Sequence, residues 1–262
     1  MRRYLSLWLT FLKANLLLEL EYRANLIAGA ALGVFWAGVS FVSVAVFYLH
    51  TETVGGWDYA QALVVLGLFI VMQSVISAVL SPNLQRVVEM VREGTMDFVL
   101  IKPADAQFLA TLRFARYASV ADLTAGVLVI AQALQQMDYK PSWSALAAFF
   151  GAALAGLLTL YGIWAAMAAL AFWFVKIENL SDLFQSIFET ARFPISAYST
   201  VLRFLLTFVL PIAFLTTVPA QALIGIAEPP FLAAAAGVAA LAVGSSRWLW
   251  RRALRTYTSA SS

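Results

Sequence analysis

Six long runs of mostly apolar residues are the feature that most constrains how this chain can fold. An α-helix rises about 1.5 Å per residue, so about 20 apolar residues cross the hydrocarbon core of a bilayer. The runs lie at about 25–49, 59–81, 113–135, 144–174, 199–215 and 229–250. Because lipid offers the backbone no hydrogen-bonding partners, such runs must form helices or a closed barrel.

The pattern within the runs separates these two possibilities. Membrane barrels are built from strands of about 10 residues in which apolar and polar side chains alternate, and this alternation is not present. With 62% apolar and 12% charged residues, the chain is also far more apolar than ordinary globular proteins. We therefore predict an all-α integral membrane protein, with one transmembrane domain over residues 1–262 and six transmembrane helices.

The distribution of positive charge predicts the orientation of these spans. Lys and Arg near span ends resist translocation across the membrane. With six spans, the cations at both termini and in the two longer connections share one side of the membrane. Those between spans four and five are Lys176, Arg192 and Arg203, whereas the opposite side has Lys140. We predict that both termini lie in the cytoplasm. The net charge of +3 then reflects topology, and no nucleic-acid partner is expected.

The residues required for several common catalytic and metal sites are missing. His50 is the only histidine and there is no cysteine, so one chain cannot form a Ser-His dyad, a multi-histidine metal site or a thiolate metal site. None of the four lysines is followed by Ser or Thr, as a phosphate-binding G-x-x-x-x-G-K-[ST] loop requires. We expect a non-catalytic chain without a metal or cofactor of its own.

Two segments outside the regular spans have helical patterns. In residues 1–23, leucines such as Leu5, Leu9 and Leu12 follow helical spacing and Lys13 lies off their stripe, which predicts a helix in the membrane interface, in contact with lipid. The alternative is a simple extension of span one. Between spans four and five, a second amphipathic helix is predicted, whose face meets the membrane, the bundle or a partner. Its apolar positions are Leu180, Leu183, Phe184, Ile187 and Phe188.

The region before span six contains two prolines. Pro211 and Pro219 each remove an amide donor and clash with the preceding helical turn. We predict that span five ends near residue 215 and that a short re-entrant or interfacial helix follows, up to residue 226. Irregular backbone survives at membrane depth where protein or a water-filled cavity covers it. One kinked helix is the alternative.

Three polar residues within the spans are candidates for function. Asp122 on span three is the clearest, because an ionisable group in lipid is costly and often functional. Gln73 on span two and Thr159 on span four are weaker candidates of the same kind. Each could line a polar pathway or hydrogen-bond between helices, and for Asp122 we favour the structural interpretation.

The connection between spans two and three, residues 92–103, has the sequence REGTMDFVLIKP. Gly94 is a natural end for the preceding helix because it tolerates left-handed backbone, Thr95 suits an N-cap, and Pro103 disfavours helix at the residue before it. These limits predict one short helix over residues 96–101.

The apolar residues of this short helix point in two directions. At helical spacing, Met96, Val99 and Leu100 share one face, whereas Phe98 and Ile101 share another. Leaving such a side chain exposed forgoes about 1.5–3 kcal/mol, so something should cover both faces. A groove on a partner protein and docking back on the bundle or the headgroups are both open.

Residues 93–103 resemble the segment E-x-G-T-L-[ED]-x-L-L-x-x-P that lies between spans two and three of ABC-2-type transporter permeases. Further matches to the six-span subfamily that is encoded with a second permease and an ATPase lie at 191–194, 202–203, 208–211 and 219–220. Together with the six-span topology, the resemblance covers nearly the whole chain.

This resemblance implies a permease subunit of an ABC exporter in a bacterial inner membrane. A second permease, either another copy or a paralogue, would complete the pathway, and separate ABC ATPase subunits would bind ATP and Mg. Residues 92–103 would be the coupling helix, with Phe98, Val99 and Leu100 as buried anchors. The residues implied to contact the ATPase are Glu93, Gly94, Thr95, Met96, Asp97, Phe98, Val99, Leu100 and Ile101. The alternative is a secondary transporter or channel that works without an ATPase.

Overall fold

The computed structural model describes residues 2–174 and 178–257, so Lys176 lies outside the described residues. Within these ranges the regular elements are helical, which confirms the predicted all-α membrane fold. The α-helices are α1 (Arg2–Glu21), α2 (Arg23–Tyr48), α3 (Tyr59–Val75), α4 (Ser81–Arg92), α5 (Asp97–Leu100), α6 (Ala106–Thr111), α7 (Val120–Gln136), α8 (Trp143–Leu170), α9 (Glu178–Phe188), α10 (Thr200–Phe204), α11 (Thr217–Leu223) and α12 (Pro229–Thr256).

The central element of the bundle is α3. It begins at a capping box in which the Gln61 amide donates to the Asp58 carboxylate at 2.8 Å and the Asp58 amide donates to the Gln61 side chain at 3.2 Å. A π-helical turn, Ile76–Leu80, joins it to α4, so that one helix of 34 residues runs from Tyr59 to Arg92. In the most apolar stretch of this 34-residue helix, 67% of the residues are buried inside the protein, whereas in the most apolar stretch of α2 the share is 11%.

Small residues let neighbouring helices approach this core closely. Where α3 and α7 cross, a Cβ atom at Gly126 would lie 2.8 Å from the Gly67 carbonyl oxygen. On the other side, α8 and α12 pack along their lengths, with Gly162 against Ala242. Glycine permits this approach because it has no side chain to separate the backbones.

The bundle has two ends that differ in charge. The loop end contains the turns at 49–58, 137–142 and 224–228, and a Cβ atom at Gly225 would lie 2.8 Å from the Tyr139 hydroxyl. The basic end contains the connection 92–117 and the Arg-rich end of α12. By length and composition, α2, the α3–α4 helix, α7, α8 and α12 can each cross a membrane between these ends.

A further crossing runs through residues 178–196. Helix α9 starts after α8 has ended at the basic end, and Phe184 packs edge-on against Trp164 near the end of α8, with ring centroids 4.8 Å apart. Farther along the chain, the Ser196 hydroxyl donates a 2.6 Å hydrogen bond to the Gly55 carbonyl at the loop end. The described residues therefore make six crossings, and α9 supplies half of the fifth.

The amphipathic helix predicted between spans four and five is α9. The helix itself is confirmed, but it is part of the fifth crossing and not of a connection between two spans. Phe184 and Phe188 are buried, and Phe188 stacks on Phe69 of α3 at 5.3 Å, whereas Leu180 and Leu183 remain exposed. At 11 residues α9 is shorter than the ~17 residues expected of a span. A 3-10 turn at Glu189–Arg192 continues the crossing.

Residues 200–223 form a hairpin that enters and leaves at the loop end. The Arg203 side chain donates to the Ser196 carbonyl at 3.0 Å where the hairpin begins, and α11 ends beside Gly225. The chain bends by 71° between the two halves of the hairpin, Thr200–Val209 and Ile212–Leu223. At the tip, the Phe214 carbonyl would lie 2.9 Å from a Cβ atom at Gly156, about half-way along α8.

This hairpin replaces the predicted span at 199–215, whereas its second half contains α11, a short helix within the range predicted for a re-entrant one. Its irregular backbone is covered by protein: the Thr216 hydroxyl donates to the Ala191 carbonyl at 3.1 Å, and the Thr217 hydroxyl accepts from the Ile195 amide at 3.1 Å. Because Pro211 prevents a continuous helix, the chain turns back at this depth instead of crossing.

The fifth crossing also changes the predicted distribution of charge. Arg203 lies at the loop end, and Arg192 contacts Phe69 of α3 within the bundle. The prediction that these two residues share one side of the membrane with the other cations is therefore wrong. The error arose because a short helix with polar residues does not look like a span. The chain still makes six crossings, which is an even number. Helix α1 before the first crossing and the end of α12 after the last therefore lie at the same end, the basic one.

At that basic end, α1 is a separate helix that lies along the segment before α7. The Arg3 side chain donates to the Pro103 carbonyl at 2.7 Å, and Asn15 donates to the Arg113 carbonyl at 2.8 Å. Residues 113–116, predicted to be helical, are not helical. The buried Asn83 side chain accepts from the amides of Arg113 and Phe114 at 3.1 and 3.0 Å, in place of helical hydrogen bonds.

Candidate functional site

The segment after α4 has the predicted stop signal. Helix α4 ends at Arg92, and Gly94 follows with φ of 71°, the left-handed backbone that glycine adopts at low cost. Helix α5 is a single turn, shorter than the predicted range 96–101. Thr95 is not its N-cap, which corrects that prediction: its carbonyl accepts from the Phe98 amide at 3.2 Å, and the buried Met96 precedes the helix.

The two faces of this segment have different surroundings. Met96 and Val99 are 0% and 5% exposed and pack in the core of the bundle, whereas Phe98 and Ile101 are 66% and 78% exposed. Leu100 is half-buried. One face therefore docks back on the bundle and the other is uncovered. Val99, predicted as an anchor for a partner, packs inside this chain instead, so Phe98 and Ile101 are the exposed apolar side chains of the segment.

An ion pair ties the next helix to α12. Asp105 caps α6 by accepting from the Phe108 amide at 3.0 Å, and its two carboxylate oxygens accept from the two terminal nitrogens of Arg247. Arg247 also donates to the Gln107 side chain at 3.0 Å. Burial alone would raise the pKa of Asp105, but the hydrogen bonds from Arg247 and from the α6 amides lower it below its ordinary value.

Sequence reasoning missed this pair. The Asp-Ala-Gln sequence at 105–107 is a local signal for a helix start, but its partner lies 142 residues away on another helix. The pair connects the start of α6 to the last span.

A half-open cavity of about 470 Å³ lies between α2, α3, α7 and the turn at Glu189–Arg192. Trp36, Ala37 and Phe69 form part of its apolar wall. The larger polar side chains that line it are Gln73, Arg116, Asp122, Glu189 and Arg192. An apolar wall with a few convergent polar groups is typical of a site that binds small molecules.

The charges in this cavity are held in different ways. Arg192 pairs with Glu189 one turn earlier, and its guanidinium group lies 5.5 Å from the centre of the Phe69 ring. Asp122 has a buried carboxylate oxygen to which the described residues offer no hydrogen bond. A Cβ atom at Gly33 would overlap that carboxylate, so α2 closely approaches Asp122.

The structure brings together two of the three predicted polar residues. Gln73 and Asp122 line the same cavity, whereas Thr159 is fully buried in α8 outside it. Arg116, Glu189 and Arg192 are the members that sequence reasoning missed. It placed Glu189 and Arg192 in a connection outside the membrane.

Residues 34–261 match a family model described as ABC-2 family transporter protein. The match extends from α2 almost to the end of the chain. The chain belongs to the ABC-2 transporter family. Neither a curated protein nor a solved structure matches it. The family predicted from residues 93–103 and 191–220 is thus confirmed, and the protein is a multi-pass membrane permease of an ABC transporter, which implies an ABC ATPase as its partner.

Proposed function

We propose that this ABC-2 permease is the non-catalytic membrane subunit of an ATP-driven exporter. A second permease, another copy or a paralogue, would complete the pathway, and separate ATPase subunits would bind ATP and Mg. The observation that carries the proposal is the uncovered apolar face of Phe98 and Ile101, directly after the 34-residue helix Tyr59–Arg92.

The surroundings of α5 suit a contact that transmits force. Met96 and Val99 are buried and hold the segment against the bundle, whereas Phe98 and Ile101 are exposed. The exposed Glu93 offers a polar contact nearby in the chain. A short amphipathic helix of this kind fits an apolar groove on a partner. Movement of α5 would pass through α4 to the buried α3, and through the Asp105–Arg247 pair to α12.

The cavity between α2, α3 and α7 suits one half of the export pathway. It has both apolar walls and charged groups, and α2 beside it has little cover from this chain. Exposed aromatic residues on α2, such as Phe35 and Trp36, could contact the second permease. Gln73 and Asp122 would then line a polar pathway between the two subunits.

Single cysteine variants test the pathway, because the chain has no cysteine of its own. In the assembled transporter, Gln73→Cys should react with a water-soluble methanethiosulfonate at least about tenfold faster than Thr159→Cys, since thiolate reactivity requires access. Thr159 is the matched control because it is a polar span residue with no exposed surface. Equal, slow reaction of both variants would show that water does not reach the cavity.

Transport by reconstituted vesicles distinguishes the exporter from the alternative of a secondary transporter or channel. The permease should move a panel of fluorescent amphipathic solutes only with its ATPase and ATP, because the energy source lies on the partner. Solute movement by the purified permease alone, along an ion gradient, would support the alternative and overturn the proposal.

The proposed orientation places both termini and α5 in the cytoplasm of a bacterial inner membrane and the loop end outside. With a membrane-impermeant maleimide on intact cells, Ser199→Cys should be labelled, whereas Lys102→Cys should be labelled only after permeabilisation. Both positions are exposed, so access depends on the side of the membrane. Labelling of Ser199→Cys only after permeabilisation would instead place residue 199 in the cytoplasm.

A further inference from the structure

A second cavity, of about 460 Å³, lies at the basic end between α1 and the segment that follows α5. One wall is a single face of α1 and the other comes from residues 99–113. The side chains that decide its chemistry are Arg3, Leu7 and Phe11 on α1 and Lys102, Leu109 and Arg113 opposite them. Its volume lies within the range of about 300–1,000 Å³ that is usual for ligand sites.

The charged groups of this cavity are all positive. Arg3, Lys102 and Arg113 line it, no carboxylate does, and in the part of the chain that the structure describes none of the three forms an ion pair. The Arg3 side chain is held by the Pro103 carbonyl at 2.7 Å, and the Arg113 guanidinium group lies 5.9 Å from the centre of the Phe11 ring. Three cations that line one cavity without a carboxylate favour an anionic ligand.

The rest of the lining is apolar. Leu109 is buried, and Leu7 and Phe11 are half-buried with one side towards the cavity. A small inorganic anion would leave this apolar wall without a partner. A ligand with an anionic group and a hydrocarbon chain satisfies both parts of the cavity.

The position of α1 indicates where such a ligand comes from. Leu5 and Leu9, on a different face from the cavity, are exposed leucines on a helix next to the transmembrane bundle. A helix of this kind lies at the boundary between headgroups and acyl chains. The cavity mouth is then at the level of the phosphate groups of the inner leaflet, where basic residues attract anionic lipid.

We propose that this cavity binds one anionic phospholipid. Its phosphate lies among Arg3, Lys102 and Arg113, and part of an acyl chain lies along Leu7 and Phe11. The lipid fills the space between α1 and the connection that follows α5. Binding belongs to the permease itself and does not depend on the ATPase or on transport.

The test is lipid binding to the purified full-length permease in a neutral detergent. Native mass spectrometry should show phosphatidylglycerol binding in preference to phosphatidylcholine. Lys102→Gln combined with Arg113→Gln should weaken phosphatidylglycerol binding about 30-fold, because each cation near a lipid phosphate contributes about 1 kcal/mol. The matched control removes two exposed arginines of the same end, Arg251→Gln with Arg252→Gln, and should change binding less than about twofold.

Several outcomes would overturn the proposal. Equal binding of the two lipids, or equal effects of the two double variants, would show that the cations of the cavity do not select the headgroup. Full competition by inorganic phosphate would show a site for a free anion rather than for a lipid. The melting temperature of each variant in the absence of lipid must match that of the unaltered protein, and Lys102→Gln alone provides a milder test if the double variant does not fold.

Discussion

Replacing Phe98 and Ile101 with Asp should release the ATPase from the detergent-solubilised permease while the permease itself stays folded. The two side chains are 66% and 78% exposed, so the bundle does not need them. In the proposed contact each would bury apolar surface worth about 1.5–3 kcal/mol, and an aspartate there would also lose its water. We expect at least about 100-fold weaker binding of the ATPase.

The measurement is co-purification of ATPase activity with the tagged permease, before and after each change. The matched control is Leu49→Asp, which makes the same change at a side chain 74% exposed at the opposite end of the bundle. It should retain the ATPase. Val99→Asp should differ from both, because Val99 is buried and the change should lower the yield of folded permease. Retention of full ATPase activity by the Phe98 and Ile101 variants would rule out this contact.

A methyl group at the crossing of α3 and α7 should have the second large effect. In Gly126→Ala, the new Cβ atom would lie 2.8 Å from the Gly67 carbonyl oxygen and 3.0 Å from the Val71 amide nitrogen. Both are backbone atoms of the buried central helix, so they cannot move aside as a flexible side chain would. Overpacking of this kind typically costs about 1–3 kcal/mol. We expect a melting temperature several degrees lower in detergent.

Gly151→Ala on α8 is the control for this change. A Cβ atom at Gly151 would meet nothing within 4 Å, and alanine is the better residue in a helix by about 0.5–1 kcal/mol. The control should therefore melt at the same temperature as the unaltered protein or higher. If Gly126→Ala melts like Gly151→Ala, the close approach of α3 and α7 does not limit stability.

The features that could be predicted from the sequence are those that depend on the bilayer or on adjacent residues. The long apolar runs predicted α2, the α3–α4 helix, α7, α8 and α12, because backbone in lipid must satisfy its own hydrogen bonds. Gly94 predicted the end of α4, because its left-handed backbone is a local property. The family was predicted from short motifs, which are also patterns of adjacent residues.

The fifth crossing shows why other features could not be predicted. Helix α9 is too short to be recognised as a span, and its place in the bundle depends on Phe188 stacking on Phe69 of a different helix. The run at 199–215 has the composition of a span, yet Pro211 turns it into half of a hairpin. Local pattern gives the length of an apolar segment, but neighbouring helices decide whether that segment crosses.

The candidate sites follow the same division. The sequence alone determined an all-helical permease, a short amphipathic helix after α4 and the polar residues Gln73 and Asp122 within spans. Only the tertiary structure decided that Phe98 and Ile101 remain uncovered, that Arg192 shares a cavity with Asp122, and that cations of α1 and of residues 102–113 line one cavity. Periodicity is local, whereas burial and convergence depend on contacts between residues that are far apart in the chain.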